Sequence, residues 1–327
     1  MQFHIPLVPP PAAVRIRHRD PMLLAGSCFT EHMADRLRRH GFDTLDNPNG
    51  ILFNPHSIAT SLRRAIHPEP YRTDDLFHHE GLWASWDHHG RFADPDPDAA
   101  LEAINTSLAR AHAFLHGCRW LVLTLGSAFV YRLADGRIVA NCHKVPAARF
   151  TRERLSAEAV LDSLSSTVDD LAEHHPDIRL IITVSPVRHL RDGFVDNNRS
   201  KAALITAAHA LCERHGHVAY FPAYELVIDD LRDHRFYMED MVHPNHLATE
   251  YVWEHFTAAW VEPQAREAMK EVARLRTAMA HRPLHPGTPA HAAFRKTHLA
   301  LAYDLAARLP WVDLSREMAY FQDKGQT

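Results

Sequence analysis

Met22-Leu23-Leu24-Ala25-Gly26-Ser27-Cys28-Phe29-Thr30 opens as an apolar run, breaks at a Gly-Ser pair and continues into a helical pattern. Phe29, Met33 and Leu37 recur at i, i+4 and i+8, while Glu31, Asp35, Arg36 and Arg38 fill the other faces. That spacing predicts a buried strand feeding an amphipathic helix. Ser27 is the candidate nucleophile, because the first free N–H groups and the positive end of the helix dipole favour an alkoxide or oxyanion at such a turn. The plainer reading of the same serine is a helix cap.

Outward from this unit, strand and helix patterns alternate. Gly41 closes the first helix, residues 42–45 read as a short strand, and Asn47-Pro48-Asn49-Gly50 is a turn-rich loop. Residues 56–66 look helical. An aromatic insertion over about 67–98 follows, with Trp83 and Trp86 and a hairpin expected around 87–90, and then a helix over 99–115. Trp120 to Leu125 is the strongest buried strand signal, a continuous apolar run suited to a parallel sheet covered on both faces. A strand pair over 128–133 and 136–140 delivers Asn141 and His143. After it come a helix (155–174), a strand (178–184), a helix (198–215), a strand (218–221) and a helix (245–260). The alternation predicts an α/β chain, a three-layer α/β/α fold of about five parallel strands. Residues 1–262 form the main domain and 263–327 a helical C-terminal extension that serves as a flap or an oligomer surface.

More than half the chain further on stands Asp240-Met241-Val242-His243-Pro244. If this segment turns helically, the carboxylate and the imidazole share a face one turn apart. Asp240 can then orient His243 through one ring nitrogen and leave the other for Ser27, the division of labour of a Ser-His-Asp triad. His189, behind the strand at 178–184, is a rival base with no aspartate three residues before it, and Cys28 is a rival thiolate nucleophile. Lys201 and Asn198 read as helix-start and solvent residues.

Taken together, Gly26 to Thr30, Asn47 to Gly50 with Asn54-Pro55, Thr124 to Tyr131, Asn141 to Pro146, Ser185-Pro186-Val187 and Asp240 to Pro244 resemble the GSCFA family, which belongs with the SGNH (GDSL-like) hydrolases. The resemblance runs from about residue 22 to 260 and implies a flavodoxin-like sheet, with Ser27, Asp240 and His243 as the triad. It also implies an oxyanion hole made by the Ser27 and Gly50 N–H groups and an asparagine side chain. Gly126 is followed by Ser127 and Ala128 where Gly-x-Asn is expected, so Asn141 is preferred as the side-chain donor over Asn54 and Ser127. Asn54, Ser127, His143, Trp83 and Trp86 are expected to line the substrate site, the indoles stacking on a sugar ring or acyl group or simply packing the insertion. The implied activity is an SGNH-type ester hydrolase working through an acyl-enzyme on acyl esters, carbohydrate esters among them. The alternatives are an O-acyltransferase on a glycan and a non-catalytic carbohydrate-binding protein on the same fold. An insertion and a tail able to roof a cleft favour transfer, since closed sites suppress reaction with water.

Composition narrows the partners. With 36 basic and 40 acidic residues, a net charge of −4 and a pI near 6.7, the chain has no nucleic-acid footprint. No apolar run is long enough to span a membrane, and the proline-rich start lacks a signal-peptide pattern, so a cytoplasmic protein is expected. Four cysteines in so long a chain make no disulfide framework. The 27 histidines include the pairs His78-His79, His88-His89 and His174-His175 but no His-Glu-x-x-His or Cys-x-x-Cys spacing, so neither metal nor cofactor is expected. The expected partners are a small-molecule or glycan ester and a second copy of the chain.

Overall fold

The computed structural model describes residues 4–322. β1 (Met22–Gly26) feeds α1 (Cys28–Arg39), and the short β2 (Thr44–Asp46) leads to α2 (Pro55–Ile66). The insertion forms a hairpin of β3 (Leu76–His79) and β4 (Leu82–Ser85), after which α3 (Pro97–Gly117) returns the chain to β5 (Trp120–Leu125). A small antiparallel sheet of β6 (Phe129–Arg132), β7 (Ile138–Val139) and β8 (Thr151–Arg154) precedes α4 (Ala157–His174). Then come β9 (Arg179–Val184), α5 (Gly193–Arg214), β10 (Val218–Tyr220), the single turn α6 (Ala223–Glu225) and α7 (His246–Trp260). α8 (Pro263–Ala280), α9 (Pro289–Arg308) and α10 (Ser315–Gln322) end the chain.

The main sheet has the order β10-β9-β5-β1-β2 with every neighbouring pair parallel. All residues of β1 and β5 are buried, which is why their runs are continuously apolar rather than alternating. Alternate side chains serve opposite layers. Leu23, Leu121 and Ile182 pack with Ile58, Leu62, Leu164 and Leu204 of α2, α4 and α5. Leu24, Val122 and Ile181 pack with Phe29, Met33, Val252 and Phe256 of α1 and α7. The result is the expected three-layer α/β/α fold, in a flavodoxin-like strand order. Its topological switch point lies between β1 and β5, where open α/β sheets bind their ligands beyond the strands' carboxyl ends. α8–α10 build a small core of their own around Val272, Leu275, Leu305 and Phe321, and Arg276 ties it to α1 through the Arg38 carbonyl. Among the described residues no helix is long and apolar enough to cross a membrane.

Some local expectations need correction. The insertion hairpin turns at Glu80-Gly81, not at 87–90, because those two residues take left-handed φ values of 48° and 79°, as a tight two-residue hairpin turn requires. β8 (Thr-Arg-Glu-Arg) carries no apolar alternation, and it is a strand because its backbone pairs with β6. α5 begins at Gly193 rather than near 198. Gly26 at the end of β1 has φ 143°, and a Cβ there would lie 2.2 Å from the Thr124 carbonyl oxygen of β5, so this close approach requires glycine.

Candidate active site

Ser27 occupies the N-cap position of α1, yet its side chain makes no capping bond. The residue is wholly buried and its Oγ has no hydrogen-bond partner. An unsatisfied buried hydroxyl costs about 1–3 kcal/mol, so its position is not explained by helix capping. Its N–H donates to Thr124 O of β5 at 3.2 Å. Burial pushes the neighbouring Cys28 thiol up, which disfavours the thiolate a cysteine nucleophile would need.

The Asp240–His243 segment is a turn closed by its own side chain rather than a helical turn, with Met241 in the left-handed region at φ 57°. One carboxylate oxygen of Asp240 accepts the N–H groups of Val242 and His243 at 2.9 and 3.0 Å. The other accepts the Nδ1–H of His243 at 2.7 Å. The His243 N–H, followed by its imidazole, holds the Asp240 carboxyl down at about 2. Neighbours pin this loop. Met238 N–H donates to His243 O at 2.7 Å, and Arg188 N–H, just beyond β9, donates to Val242 O at 3.1 Å. Asn245 caps α7 by accepting from Leu247 and Ala248 N–H at 3.0 and 3.2 Å while its amide donates to Arg235 O and Tyr237 O at 2.7 and 3.3 Å. Asn245→Ala is therefore expected to cost about 2 kcal/mol and lower the melting temperature by roughly 4–8 °C in a thermal scan. An unchanged melt would mean that these bonds do not hold the loop.

Two further side chains join this edge of the sheet. His189 lies edge-on to Phe53, with ring centroids 5.3 Å apart and planes at 76°. Burial first, then the charges of Lys201 and His243, pushes its imidazole down to about 3. So weak a base is a poor general base near neutral pH. Lys201 is 1% exposed, and its ammonium group donates to Gly126 O and Ser185 O, both at 2.7 Å, just beyond the ends of β5 and β9. Burial holds it down to about 7, with the Cys28 side chain acting the other way. The solvent reading of Lys201 is thus overturned. Starting α5 at Gly193 carries the residue to the buried stripe of Asn197, Ser200, Lys201, Leu204, Ala208 and Leu211. The spacing of Leu204, Ala208 and Leu211 extended backwards is the signal that could have located it.

A family model described as the GSCFA family matches residues 21–256. The chain belongs to this family. A second model, described as the GSCFA domain protein C-terminal domain, matches residues 272–327. No curated protein matches the chain. Among solved structures, this GSCFA protein is similar to a carbohydrate esterase family 3 protein from Talaromyces cellulolyticus at 9% identity, covering 77% of this chain and 99% of that one with a TM-score of 0.36. It is also similar to an acetyl xylan esterase from the rumen bacterium Butyrivibrio proteoclasticus at 9% identity, covering 80% of this chain and 64% of that one with a TM-score of 0.36. At these TM-scores the likenesses carry no weight for the chemistry.

In the GSCFA protein the residues expected at an oxyanion hole take varied places. Gly50 N–H donates to Asn47 O at 2.7 Å inside its turn, and a Cβ on Gly50 would lie 2.2 Å from His89 Cβ. Asn54 Oδ1 caps α2 by accepting from Ser57 N–H at 2.8 Å. Ser127 Oγ accepts from Phe129 N–H at 3.1 Å and lies 3.4 Å from Ser200 Oγ. Asn141 Oδ1 accepts from His143 N–H at 2.8 Å, and both residues line a cavity of about 290 Å³ with Phe77, Leu82 and Gly90 of the insertion. Trp86 is buried and stacked on Phe77 at 3.6 Å, and Trp83 is half-buried against His78. The sequence reading missed Asn47. Its Oδ1 accepts from Gly26 N–H at 2.9 Å, and its buried Nδ2 has no partner.

Proposed function

We propose that this GSCFA protein is a serine-dependent ester hydrolase acting on acyl esters, those of carbohydrates included. The observation that carries this reading is the Asp240–His243 pair. With Nδ1–H committed to the carboxylate at 2.7 Å, the imidazole keeps Nε2 as its basic nitrogen. The loop that holds it is hydrogen-bonded to the segment after β9, on the carboxyl side of the sheet where β1 also ends at Ser27. In the proposed reaction Ser27 Oγ attacks the ester carbonyl carbon while its proton passes to His243 Nε2. The tetrahedral oxyanion forms at the N-terminus of α1, where the unpartnered Asn47 Nδ2 is the donor we favour, the Ser27 N–H being held by the Thr124 carbonyl. Collapse expels the alcohol, which takes the proton from the imidazolium. Water then attacks the acyl-Ser27 with His243 again as base, releasing the acid and restoring the hydroxyl.

A second reading, O-acyltransfer to a glycan, uses the same acyl-Ser27 and puts a sugar hydroxyl in place of the attacking water. A fluorophosphonate probe tests the shared first step: the wild type is expected to be labelled at Ser27 and Ser27→Ala to be unlabelled, read by mass spectrometry. Folded wild type that takes no label at Ser27 would leave a non-catalytic carbohydrate-binding protein. Loaded acyl-enzyme separates the other two, since discharge hastened by glycan acceptors marks transfer and discharge by water alone marks hydrolysis.

A further inference from the structure

Five of the histidines gather where helices of one layer end. His67 follows α2, His112 and His116 are on the last turns of α3, and His174 and His175 end α4. α3 and α4 run from here into the starts of β5 and β9, so the cluster lies at the amino edge of the sheet, opposite Ser27. Within it His67, Asp170 and His174 stand apart. His67 Nε2 is 2.9 Å from each carboxylate oxygen of Asp170. Asp170 and His174 are one turn apart on α4, with His174 Nδ1 3.3 Å from Asp170 Oδ1. The two imidazole rings meet at right angles with centroids 4.7 Å apart. The three side chains can each offer one donor atom with all three atoms within 4.8 Å of one another, the only such group of histidine, cysteine and acidic side chains among the described residues.

Metal–donor bonds of about 2.0–2.1 Å place neighbouring donors on a coordination polyhedron roughly 2.9–3.3 Å apart. The N–O separations of 2.9 and 3.3 Å fall in that range. Two neutral imidazoles and a carboxylate are a borderline donor set, suited to zinc and its neighbours rather than to magnesium or calcium. Asp170 has these two histidines as its ion-pair partners, and His174 Nδ1 also donates to the Asp170 backbone carbonyl at 2.9 Å, so a metal would replace histidine protons and this one backbone bond rather than a lysine or arginine salt bridge. His67 and His174 are 52% and 42% exposed, which leaves the outer coordination positions to water.

We propose that His67, Asp170 and His174 bind a divalent transition-metal ion of the zinc type, which staples the end of α2 to α4. Its place at the amino edge of the sheet makes this a structural site, independent of the chemistry assigned to Ser27.

The test is calorimetric titration of untagged, chelator-stripped full-length protein with zinc chloride, alongside melts with and without zinc. The wild type is expected to bind one ion with micromolar affinity and to melt higher with zinc present, because a ligand of the native state stabilises it. The double variant His67→Ala, Asp170→Asn is expected to lose at least about tenfold in affinity together with the zinc-dependent rise in melting temperature. The adjoining pair is the control. His112 and His116 have Nε2 atoms 3.3 Å apart, and His112→Ala, His116→Ala should leave zinc affinity within about twofold. Circular dichroism checks that both variants fold, and labelling of Ser27 reads the other site separately. Absence of zinc binding by the wild type, unchanged affinity in the first variant, or loss confined to the second would each overturn the assignment.

Discussion

Replacing His243 with alanine is expected to lower turnover of an activated ester by about 10⁴-fold or more, because the proposed reaction passes its proton through this imidazole twice. Asp240→Asn should cost roughly 10³–10⁴-fold by a different route. The amide can still receive the Val242 and His243 N–H groups that Asp240 receives at 2.9 and 3.0 Å. It no longer supplies the anion that accepts Nδ1–H at 2.7 Å, so neither the tautomer nor the imidazolium is favoured. The carboxyl sits at about 2, held there by the turn's own N–H groups and imidazole. Protonation of Asp240 therefore contributes no acid limb to a pH–rate profile until near that pH. Groups acting in one step are not additive, so the Ser27→Ala, His243→Ala double variant is expected to be no slower than the slower single. Initial rates of the four variants decide this, and a double variant slower by the product of the two single effects would show that the residues act independently.

Lys201→Ala is expected to remove most of the folded state. The truncation empties a fully buried site, worth about 2–5 kcal/mol by analogy with large-to-alanine changes. It also strips the donor from two buried carbonyls at about 1–3 kcal/mol each. Those carbonyls are Gly126 O and Ser185 O, which the amine joins across the ends of β5 and β9 at 2.7 Å. The total rivals the stability of an ordinary domain. Lys201→Met, which keeps the volume, should cost only the carbonyl part and remain measurable. The pH dependence has a definite sign. The folded amine titrates near 7, lowered by burial from the 10.5 of an exposed lysine. Between those values the unfolded chain binds more protons than the folded one, so this group makes stability rise with pH from 7 towards 10.5. Below 7 both states are protonated and its contribution is flat. Denaturant titrations at pH 7 to 9 should show the wild type gaining on Lys201→Met by up to about 1.4 kcal/mol per pH unit. A constant difference across that range would mean that the amine stays charged in the fold, and wild-type stability in Lys201→Ala would remove its role as a tie.

The central sheet was legible in the sequence because its cause is local. A strand covered on both faces must be apolar at every position, and Leu121 to Leu125 and Ile178 to Val184 are nearly so. The period of Phe29, Met33 and Leu37 likewise records a constraint within a few residues of itself. The Asp240–His243 pair was legible for the same reason, since a side chain can reach a partner three residues away whatever the turn, although the left-handed Met241 that shapes that turn was not. Long-range packing decided the rest. Lys201 reads as a surface lysine until the ends of β5 and β9 close over it, because burial is set by elements far away in the chain. His67 and Asp170 are 103 positions apart and no spacing rule joins them; only the packing of α2 on α4 brings an imidazole to that carboxylate. The amide of Asn47 looks like turn chemistry in the sequence, and it becomes a buried unpartnered donor only where β2 lies beside β1. The sequence alone thus determined the layers, the sheet and the pairing of Asp240 with His243, through periodicity and short reach. The tertiary structure alone decided which polar groups are sealed from water and which of them meet, because desolvation and contact depend on distance in space.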